Sequence, residues 1–362
     1  MAFIRLVTAL LLCVTATSAC SSRPLKILRI AFPIAEDGFD PARISDTYSH
    51  SVTLHICESL YAYDYLAIPA EIRPLTAAAL PEHSPDFRTW TIRLRPGIYF
   101  TPDPAFRGQR RELVASDYVY SFKRFADPAV NSPHWAEFEE LQIKGLTNLR
   151  KAALDGKQAF DYDQQIEGLR ALDRYTLQFQ LEIGRPRLVQ KLVGGFRGAV
   201  AREVVEAYGA RIMEHPVGTG PFKLGPWRRS SLIVLERNPD YREVLFDAHP
   251  GPNDVTGQAI AARLRGRRLP MVDRVEISVI TENQPRWLTF VDGQIDTVEV
   301  PSDFLRLALP GGKVAPYLGR RGVKGTWSSR TLSATTTSTW TTRLLAAIRR
   351  TKSHCAARSD WE

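Results

Sequence analysis

Alternating apolar and polar positions predict strands in several separate parts of the chain. In residues 28–33, 90–94 and 175–181 an apolar residue stands at every second position, which is typical of a strand with one buried face. Turn residues follow several of these runs, as Pro96-Gly97 follows the run that starts at Trp90. The predicted strands cover residues 28–33, 90–94, 175–181, 232–236 and 272–280.

Apolar residues at helical spacing predict helices between these strands. Residues 46–60 place Val52 and Ile56 on one face, and Ser45 or Asp46 is the expected N-cap. In residues 116–125, Ser116 is the expected N-cap of a helix with an apolar face. Further helical patterns cover residues 187–193 and 201–208. Interspersed strands and helices predict an α/β fold of two or more lobes.

The segment 215–224 combines two prolines with two glycines just before a predicted strand. Pro216 and Pro221 fix φ and lack an amide hydrogen, and Gly218 and Gly220 permit positive φ. We therefore expect a sharp backbone crossing before the strand that begins at Phe222.

The first 20 residues have the pattern of an export leader. Arg5 precedes an apolar run over residues 6–14, and small residues lead to Cys20. The run is too short for a membrane-spanning helix. A buried N-terminal helix is the alternative, but the leader accounts for all three features together. The small residues before Cys20 resemble a bacterial lipobox, although Thr17 stands where leucine is usual. Lipidation of Cys20 and ordinary cleavage near Ala19 both remain open, and either places the mature chain outside the cytoplasm.

Composition and charge limit the classes of protein to which the chain can belong. The chain has 362 residues, 44% of them hydrophobic, which is enough for more than one domain. Beyond the leader only Cys57 and Cys355 remain, too few for a disulfide framework or a metal site. The basic residues behind the net charge of +9 are scattered apart from residues 263–268, so nucleic-acid binding is not expected.

Motifs of known catalytic sites are missing from the sequence, and the carboxylate pairs 139–140 and 161/163 are typical of a solvated surface. We expect neither an enzyme nor a cofactor.

A set of short motifs carries a family resemblance. The chain resembles the family 5 extracellular solute-binding proteins, the peptide and nickel class of ATP-driven importers, over residues 28–305. Each motif is weak alone, but their order and spacing are specific. They are Asp40-Pro41, residues 58–61, 89–100, 115–121, 216–222, 236–241 and 293–296.

The resemblance implies a periplasmic-binding-protein-like type II fold with two lobes. Residues 27–61 and 215–282 would form the first lobe, residues 62–214 a subdomain inserted in it, and residues 283–325 the start of an incomplete second lobe. The implied function is the periplasmic component of an ABC importer. It would be a monomer that binds oligopeptides between its lobes and delivers them to membrane permease subunits. A carrier of a metal chelate or haem, and a non-functional truncated remnant, are the alternatives.

The resemblance also implies site residues. Residues 216–221 match the family's hinge signature, which makes Pro216, Gly218, Gly220 and Pro221 the hinge. The implied ligand contacts come from the end of the first helix, from a loop near residue 134 and from the start of the second lobe. For His134 a surface histidine, and for Trp135 a packed aromatic, are interpretations as good as contact with a ligand. The implied contact residues are Glu58, Ser59, His134, Trp135, Glu299 and Pro301.

The end of the chain departs from the family. Members run beyond 500 residues, and the acidic anchor for a peptide amino terminus that they carry in the second lobe has no counterpart here. From Thr326 the sequence is rich in threonine, serine and arginine, so we expect an irregular tail over residues 326–362. One hypothesis is a shifted reading frame: codons for residues 337–342, displaced by one nucleotide, can encode a strand ending typical of the family. A genuine flexible tail is the alternative.

Overall fold

The computed structural model describes residues 24–156, 159–332 and 341–350, with side chains as far as Gly325. Cys20 and Cys355 therefore lie outside the described residues. The strands are β1 Ile27–Phe32, β2 Tyr61–Tyr63, β3 Ile72–Pro74, β4 Glu82–His83, β5 Thr89–Arg93, β6 Leu169–Ala171, β7 Thr176–Gln180, β8 Phe222–Arg228, β9 Leu232–Arg237, β10 Val244–Leu245, β11 Arg268–Leu269, β12 Arg274–Val279, β13 Thr297–Glu299, β14 Val323–Leu332 and β15 Thr341–Arg350.

The helices are short, and among the described residues no helix has the length and apolar character needed to cross a bilayer. They are α1 Thr47–Ile56, α2 Ala115–Ala126, α3 Trp135–Leu141, α4 Leu146–Asp155, α5 Leu188–Lys191, α6 Arg202–Tyr208, α7 Val255–Leu264, α8 Asn283–Val291, α9 Leu305–Ala308 and α10 Pro316–Gly319. Single 3-10 turns occur at Pro104–Phe106, Gly195–Arg197, Gly209–Glu214, Ser302–Phe304 and Pro310–Gly312.

The first sheet has the order β1-β12-β9-β8. Strands β1 and β12 are parallel, and the other neighbours are antiparallel. The predicted strands over 28–33, 232–236 and 272–280 are confirmed here, each within two residues at either end. Their apolar positions form a core with α1, in which Phe39, Ile56, Ile233 and Ile277 are buried.

Helix α1 begins at the predicted cap. Asp46 Oδ1 accepts hydrogen bonds from the amides of Tyr48 at 2.9 Å and Ser49 at 2.7 Å, as expected of an N-cap. The helix ends at Ile56, four residues before the end of the apolar pattern. It ends there because another segment of the chain crosses it, and the Ile56 carbonyl accepts a hydrogen bond from the Gly220 amide at 2.8 Å.

A second body lies between α1 and β8 in sequence. Its sheet has the order β4-β5-β7-β6, and the alternation of residues 90–94 and 175–181 buries Trp90, Ile92, Leu177 and Phe179 against α2 and α3. Helix α2 starts at Ala115, so the prediction that Ser116 is its N-cap is wrong. The cap position is Val114, whose amide donates to the Asp117 carboxylate at 2.8 Å. The Asp117 side chain, at the third position of α2, thus fixes the backbone of the residue before the helix.

Residues 283–323 form a third cluster around Trp287, Phe290 and Leu318. Its sheet has the order β13-β15-β14, with antiparallel pairing. The sequence predicts an irregular tail from residue 326. The structure differs over residues 326–332 and 341–350, because their backbone lies in strands β14 and β15. Threonine is common in strands, and pairing with each other satisfies the peptide groups of both segments. Residues 333–340 and 351–362 of that tail lie outside the described residues.

Candidate functional site

The carboxyl ends of β1 and β12 form one edge of the first sheet, where ligands of open α/β sheets commonly bind. The Ile280 amide donates to the Phe32 carbonyl at 2.9 Å and closes the ladder. Beyond it, Ile34 is 56% exposed. Within the part of the chain that the structure describes, the backbone groups of Ile34 and Ala35 make no hydrogen bond. Two consecutive peptide groups are therefore open to an extended partner.

The acidic loop after this edge is anchored on both sides. Glu36 is buried, and its Oε1 accepts from Trp227 Nε1 at 2.6 Å and from the Ser230 amide at 2.9 Å. Asp40 forms two hydrogen bonds of 2.7 Å with the Arg124 guanidinium in α2, and both side chains are buried. Burial alone would lower the pKa of Arg124, but the Asp40 charge outweighs burial and raises it. This loop is thus held rigidly between the first sheet and α2.

Glu58 lies at the centre of a closed, buried network. Its carboxylate forms a bidentate pair with Arg242, at 2.6 and 2.9 Å. The hydroxyls of Thr219 and Tyr241 also donate to it, each at 2.9 Å. Since Glu58 is 1% exposed, its oxygens are taken up by the protein itself. The network joins the end of α1 to the 216–221 crossing and to the segment after β9.

Ser59 has a similar structural role. Its Oγ donates to the Tyr61 carbonyl at 2.7 Å, and its own carbonyl accepts from Thr76 Oγ1 at 3.0 Å. The side chain is fully buried. The structure therefore leaves no exposed polar atom on Glu58 or Ser59, the two contacts predicted next to the first helix.

His134 and Trp135 are both packed side chains in this structure. His134 Nε2 lies 2.8 Å from the Ile44 carbonyl, and its ring centroid is 4.2 Å from that of Phe196. Burial lowers the pKa of His134. His134 is 8% exposed, so the surface-histidine interpretation is wrong. Trp135 is partly buried against the second body, with the Arg150 guanidinium 4.8 Å from its ring centroid.

His50 belongs to the same aromatic group, a feature that the sequence analysis missed. Its ring stacks on Phe196 with centroids 4.0 Å apart, and its Nε2 accepts from the Gly195 amide at 3.0 Å. Burial, aided by the charge of Arg197, lowers its pKa from 6.5 to about 4. The neutral ring thus links α1 to the 195–197 turn. The closely spaced glycines before Phe196 were the only sequence signal.

The glycines of the 216–221 segment serve close packing. Neither Gly218 nor Gly220 has a positive φ, so the predicted reason for them is wrong. A Cβ on Gly218 would lie 2.0 Å from the Ile56 carbonyl oxygen, and one on Gly220 would lie 2.4 Å from the His55 carbonyl oxygen. Only glycine permits this approach to the end of α1.

The same segment does not lead to the third cluster. Pro216 and Pro221 lie between the Gly209–Glu214 turn and β8, so the crossing joins the second body to the first sheet. The chain passes to residues 283–323 at residues 280–282 instead. There the buried Arg286 donates to the carbonyls of Ile280 at 2.7 Å and Thr281 at 3.0 Å. Residues 280–282, and not residues 216–221, therefore connect the first sheet to the third cluster, while the hinge role of Pro216, Gly218, Gly220 and Pro221 stays a prediction.

Glu299 and Pro301 lie in the third cluster, apart from the other predicted contacts. Glu299 is exposed at the end of β13, and Pro301 is buried before the Ser302–Phe304 turn. Asp296 attaches this cluster to the first sheet: its carboxylate accepts from the Arg29 amide at 2.8 Å, and its amide donates to the Arg29 carbonyl at 2.7 Å. Glu299 and Pro301 thus follow a segment fixed to the edge of β1.

Metal-ligating groups do not cluster in the described ranges. No group of three or more His, Cys, Asp or Glu side chains among residues 24–325 is arranged to hold a metal ion. Cys57 is buried, and burial raises its pKa to about 12. The thiol is therefore unreactive in this environment.

Known proteins with similar sequences are peptide-binding proteins. Di/tripeptide-binding protein 2 of Pseudomonas aeruginosa (strain UCBPP-PA14) is 29% identical over 240 residues, which are 64% of this chain and 41% of that protein. Periplasmic oligopeptide-binding protein OppA of Salmonella typhimurium is 29% identical over 204 residues, 56% of this chain and 34% of OppA. The chain thus spans well under half the length of these curated relatives.

Solved structures confirm the fold. The periplasmic binding protein DppA from Helicobacter pylori, in complex with the peptide STSA, superposes with a TM-score of 0.61 at 22% identity, covering 83% of this chain and 50% of DppA. OppA from Haemophilus influenzae, in complex with RPPGFSPFR, gives 0.61 at 20% identity, covering 85% of this chain and 52% of OppA. The predicted two-lobed periplasmic-binding-protein fold is therefore correct.

A model of the family "Bacterial extracellular solute-binding proteins, family 5 Middle" matches residues 71–332. The chain belongs to the family 5 bacterial extracellular solute-binding proteins.

Proposed function

We propose that this chain is the peptide-binding component of an ABC importer and works outside the cytoplasm without catalysis. The observation that carries the proposal is the family match over residues 71–332, together with relatives that are di/tripeptide- and oligopeptide-binding proteins. The unbonded peptide groups of Ile34 and Ala35 add a physical reason, because an extended peptide can pair with them through its own backbone.

Closure over the peptide would involve both lobes. A ligand shifts an open–closed equilibrium only by its difference in affinity for the two states, so it must contact both sides in the closed state. The first lobe offers the edge beyond β1, and residues 280–282 connect it to the second. The rigid attachment of the Glu36–Asp40 loop keeps the first half of the site preformed, which reduces the entropy lost on binding.

The leader and Cys20 extend this proposal to location. Export of the mature chain to the periplasm would bring it to permease subunits in the membrane, and a lipid on Cys20 would hold it there. Mass spectrometry of the exported chain distinguishes a lipidated Cys20 from an unmodified N-terminus. A chain that stays in the cytoplasm with residues 1–20 intact would contradict this part of the proposal.

The shifted reading frame is a separate proposal about the tail. The family match continues to residue 332, beyond Thr326 where the composition changes, so a frame change would lie after residue 332. Reading the gene in its other frames downstream of that point tests it. A continuation of the second lobe in another frame supports the proposal, and its absence contradicts it.

The binding experiment is isothermal titration of the mature chain, residues 21–362, with a mixed pool of short peptides, beside the same gene with one nucleotide restored in the tail. Peptide binding by the short chain supports the proposed function and shows that the first lobe supplies most of the site. Binding by the restored form alone identifies the short chain as a truncated remnant. If neither form binds while both are folded, the peptide-binding proposal is wrong.

A further inference from the structure

The chain enters the first sheet at the edge opposite the candidate peptide site. The Lys26 amide donates to the Asp273 carboxylate at 2.9 Å, and the Asp273 amide donates to the Lys26 carbonyl at 2.8 Å. Lys26 directly precedes β1, and Asp273 directly precedes the parallel strand β12. Residues 24–26 therefore enter the sheet at the amino ends of these strands.

An exposed apolar surface lies on the loop between β2 and β3 and on the connection from β9 to β12. Its four residues, which we call the apolar patch, are Tyr65, Ile68, Leu245 and Val255, with exposed fractions of 72%, 71%, 49% and 77%. Large apolar side chains exposed to this degree and close together usually mark an interaction surface.

Contacts between the two segments that carry the apolar patch hold them against each other. The Tyr65 ring stacks on Phe246, with centroids 5.7 Å apart, and Leu245 is the neighbour of Phe246. Gly251 packs so closely on the loop at Ile68 that a Cβ would lie 2.8 Å from the Ile68 carbonyl oxygen. The Asp254 amide then donates to the Gly251 carbonyl at 3.1 Å, just before α7 begins at Val255.

Arginines border the apolar patch. Residues 255–270 contain four arginines and no acidic residue. Leu245 of the patch pairs directly with Arg268 in the β10–β11 ladder, so the two side chains lie on one face. Arg263, Arg265 and Arg268 are exposed, and within the described residues none of the three forms an ion pair. We call these three residues the arginine rim.

We propose that the apolar patch and the arginine rim together bind the surface of an anionic phospholipid membrane. Exposed aromatic and aliphatic side chains beside arginines suit the boundary between acyl chains and phosphate headgroups. The connection from β9 to β12, which contains Leu245, Val255 and the arginine rim, leaves and re-enters the first sheet at the end away from Ile34. This orientation leaves the Ile34 edge open to solution. The proposal does not depend on peptide binding.

The test uses the mature chain, residues 21–362, without any lipid, so that a membrane contact must come from the protein itself. Its partition is measured by flotation with vesicles of phosphatidylcholine alone and of phosphatidylcholine with one third phosphatidylglycerol. We expect clear partition only to the anionic vesicles. Each arginine near such a surface contributes about fivefold, so replacing the whole rim with glutamine reduces partition by roughly 100-fold. The rim variant is Arg263→Gln/Arg265→Gln/Arg268→Gln.

Two further variants separate this surface from general charge. Arg88, Arg93 and Arg187 are exposed on the second body, and changing them to glutamine removes the same charge. This control keeps its partition within about twofold of the parent. Tyr65→Ser/Ile68→Ser removes half of the apolar patch and reduces partition roughly tenfold. Arginine-to-lysine changes in the rim preserve binding.

Four results would overturn the proposal. They are the absence of vesicle binding, equal partition to neutral and anionic vesicles, an equal loss in the control variant, and no effect of Tyr65→Ser/Ile68→Ser. The circular dichroism spectrum of each variant establishes that it is folded. Since all the changed side chains are exposed, we expect these spectra to match that of the parent.

Discussion

Replacing Gly218 with alanine tests why the 216–221 segment contains glycine. The nearest neighbours of a new Cβ would be the Ile56 carbonyl oxygen at 2.0 Å, the Ile56 carbonyl carbon at 2.6 Å and Cys57 Cα at 3.0 Å. All three are backbone atoms at the end of α1, so no flexible side chain can move aside. The crossing itself must move away from the helix.

The cost follows from the contacts that hold the crossing in place. Overpacking of this kind costs about 1–3 kcal/mol. Displacement also weakens two hydrogen bonds, from the Gly220 amide to the Ile56 carbonyl at 2.8 Å and from the Thr101 amide to the Gly218 carbonyl at 2.9 Å. Each is worth about 0.5–1.5 kcal/mol. The reduced entropy of the unfolded chain returns about 0.4–1 kcal/mol. We therefore expect a net loss of about 3 kcal/mol in the free energy of unfolding.

The assay is urea unfolding of the mature chain, followed by tryptophan fluorescence and circular dichroism. Gly319→Ala is the matched control, because Gly319 lies in a helix without positive φ and a Cβ there would have no neighbour within 4 Å. The control should leave stability unchanged or raise it by up to about 1 kcal/mol. If Gly218→Ala unfolds at the same urea concentration as the control, the close-packing explanation is wrong.

Three other changes test the electrostatic parts of the structure. Arg124→Met should lower the free energy of unfolding by about 3–5 kcal/mol because it leaves Asp40 buried and unpaired, whereas Asp40→Leu/Arg124→Met should recover most of that loss in the same urea assay. Arg242→Met should destabilise by about 3 kcal/mol by leaving Glu58 without its cation, and an unchanged unfolding midpoint would contradict the closed network. Because the pKa of His50 falls from 6.5 to about 4 on folding, the unfolded chain binds more protons between these values, so stability should decrease as the pH is lowered from about 6.5 to 4. His50→Gln should make that dependence shallower, and an equally steep curve would exclude His50 as its source.

The sequence was sufficient for elements whose signal is local. The alternation of residues 175–181 predicts β7 because both buried positions, Leu177 and Phe179, follow from a period of two. Asp46 identifies the start of α1 because a cap depends on one side chain and two nearby amides. The family motifs identify the fold, since their order along the chain reflects the order of the strands.

Features that depend on distant residues were predicted less well. The glycines at 218 and 220 signal a special backbone position, but only the fold shows that the reason is the end of α1 rather than positive φ. Glu58 is separated by 184 positions from Arg242, the partner that buries it. Ser116 has the composition of a cap, yet the first amide of α2, that of Ala115, donates to the carbonyl of the distant Arg174 instead. In each case the deciding contact joins residues that the local pattern does not connect.

Hydrogen exchange with and without a pool of di- and tripeptides tests the central claim most directly. Residues 33–37 contain the unbonded peptide groups of Ile34 and Ala35, whereas residues 65–68 lie in the loop between β2 and β3, outside the proposed peptide site, and serve as the internal control. We predict slower exchange of the Ile34 and Ala35 amides when peptide is present, and no change at residues 65–68. Unchanged exchange at residues 33–37 under conditions where titration detects peptide binding would contradict the placement of the peptide site at the carboxyl end of β1.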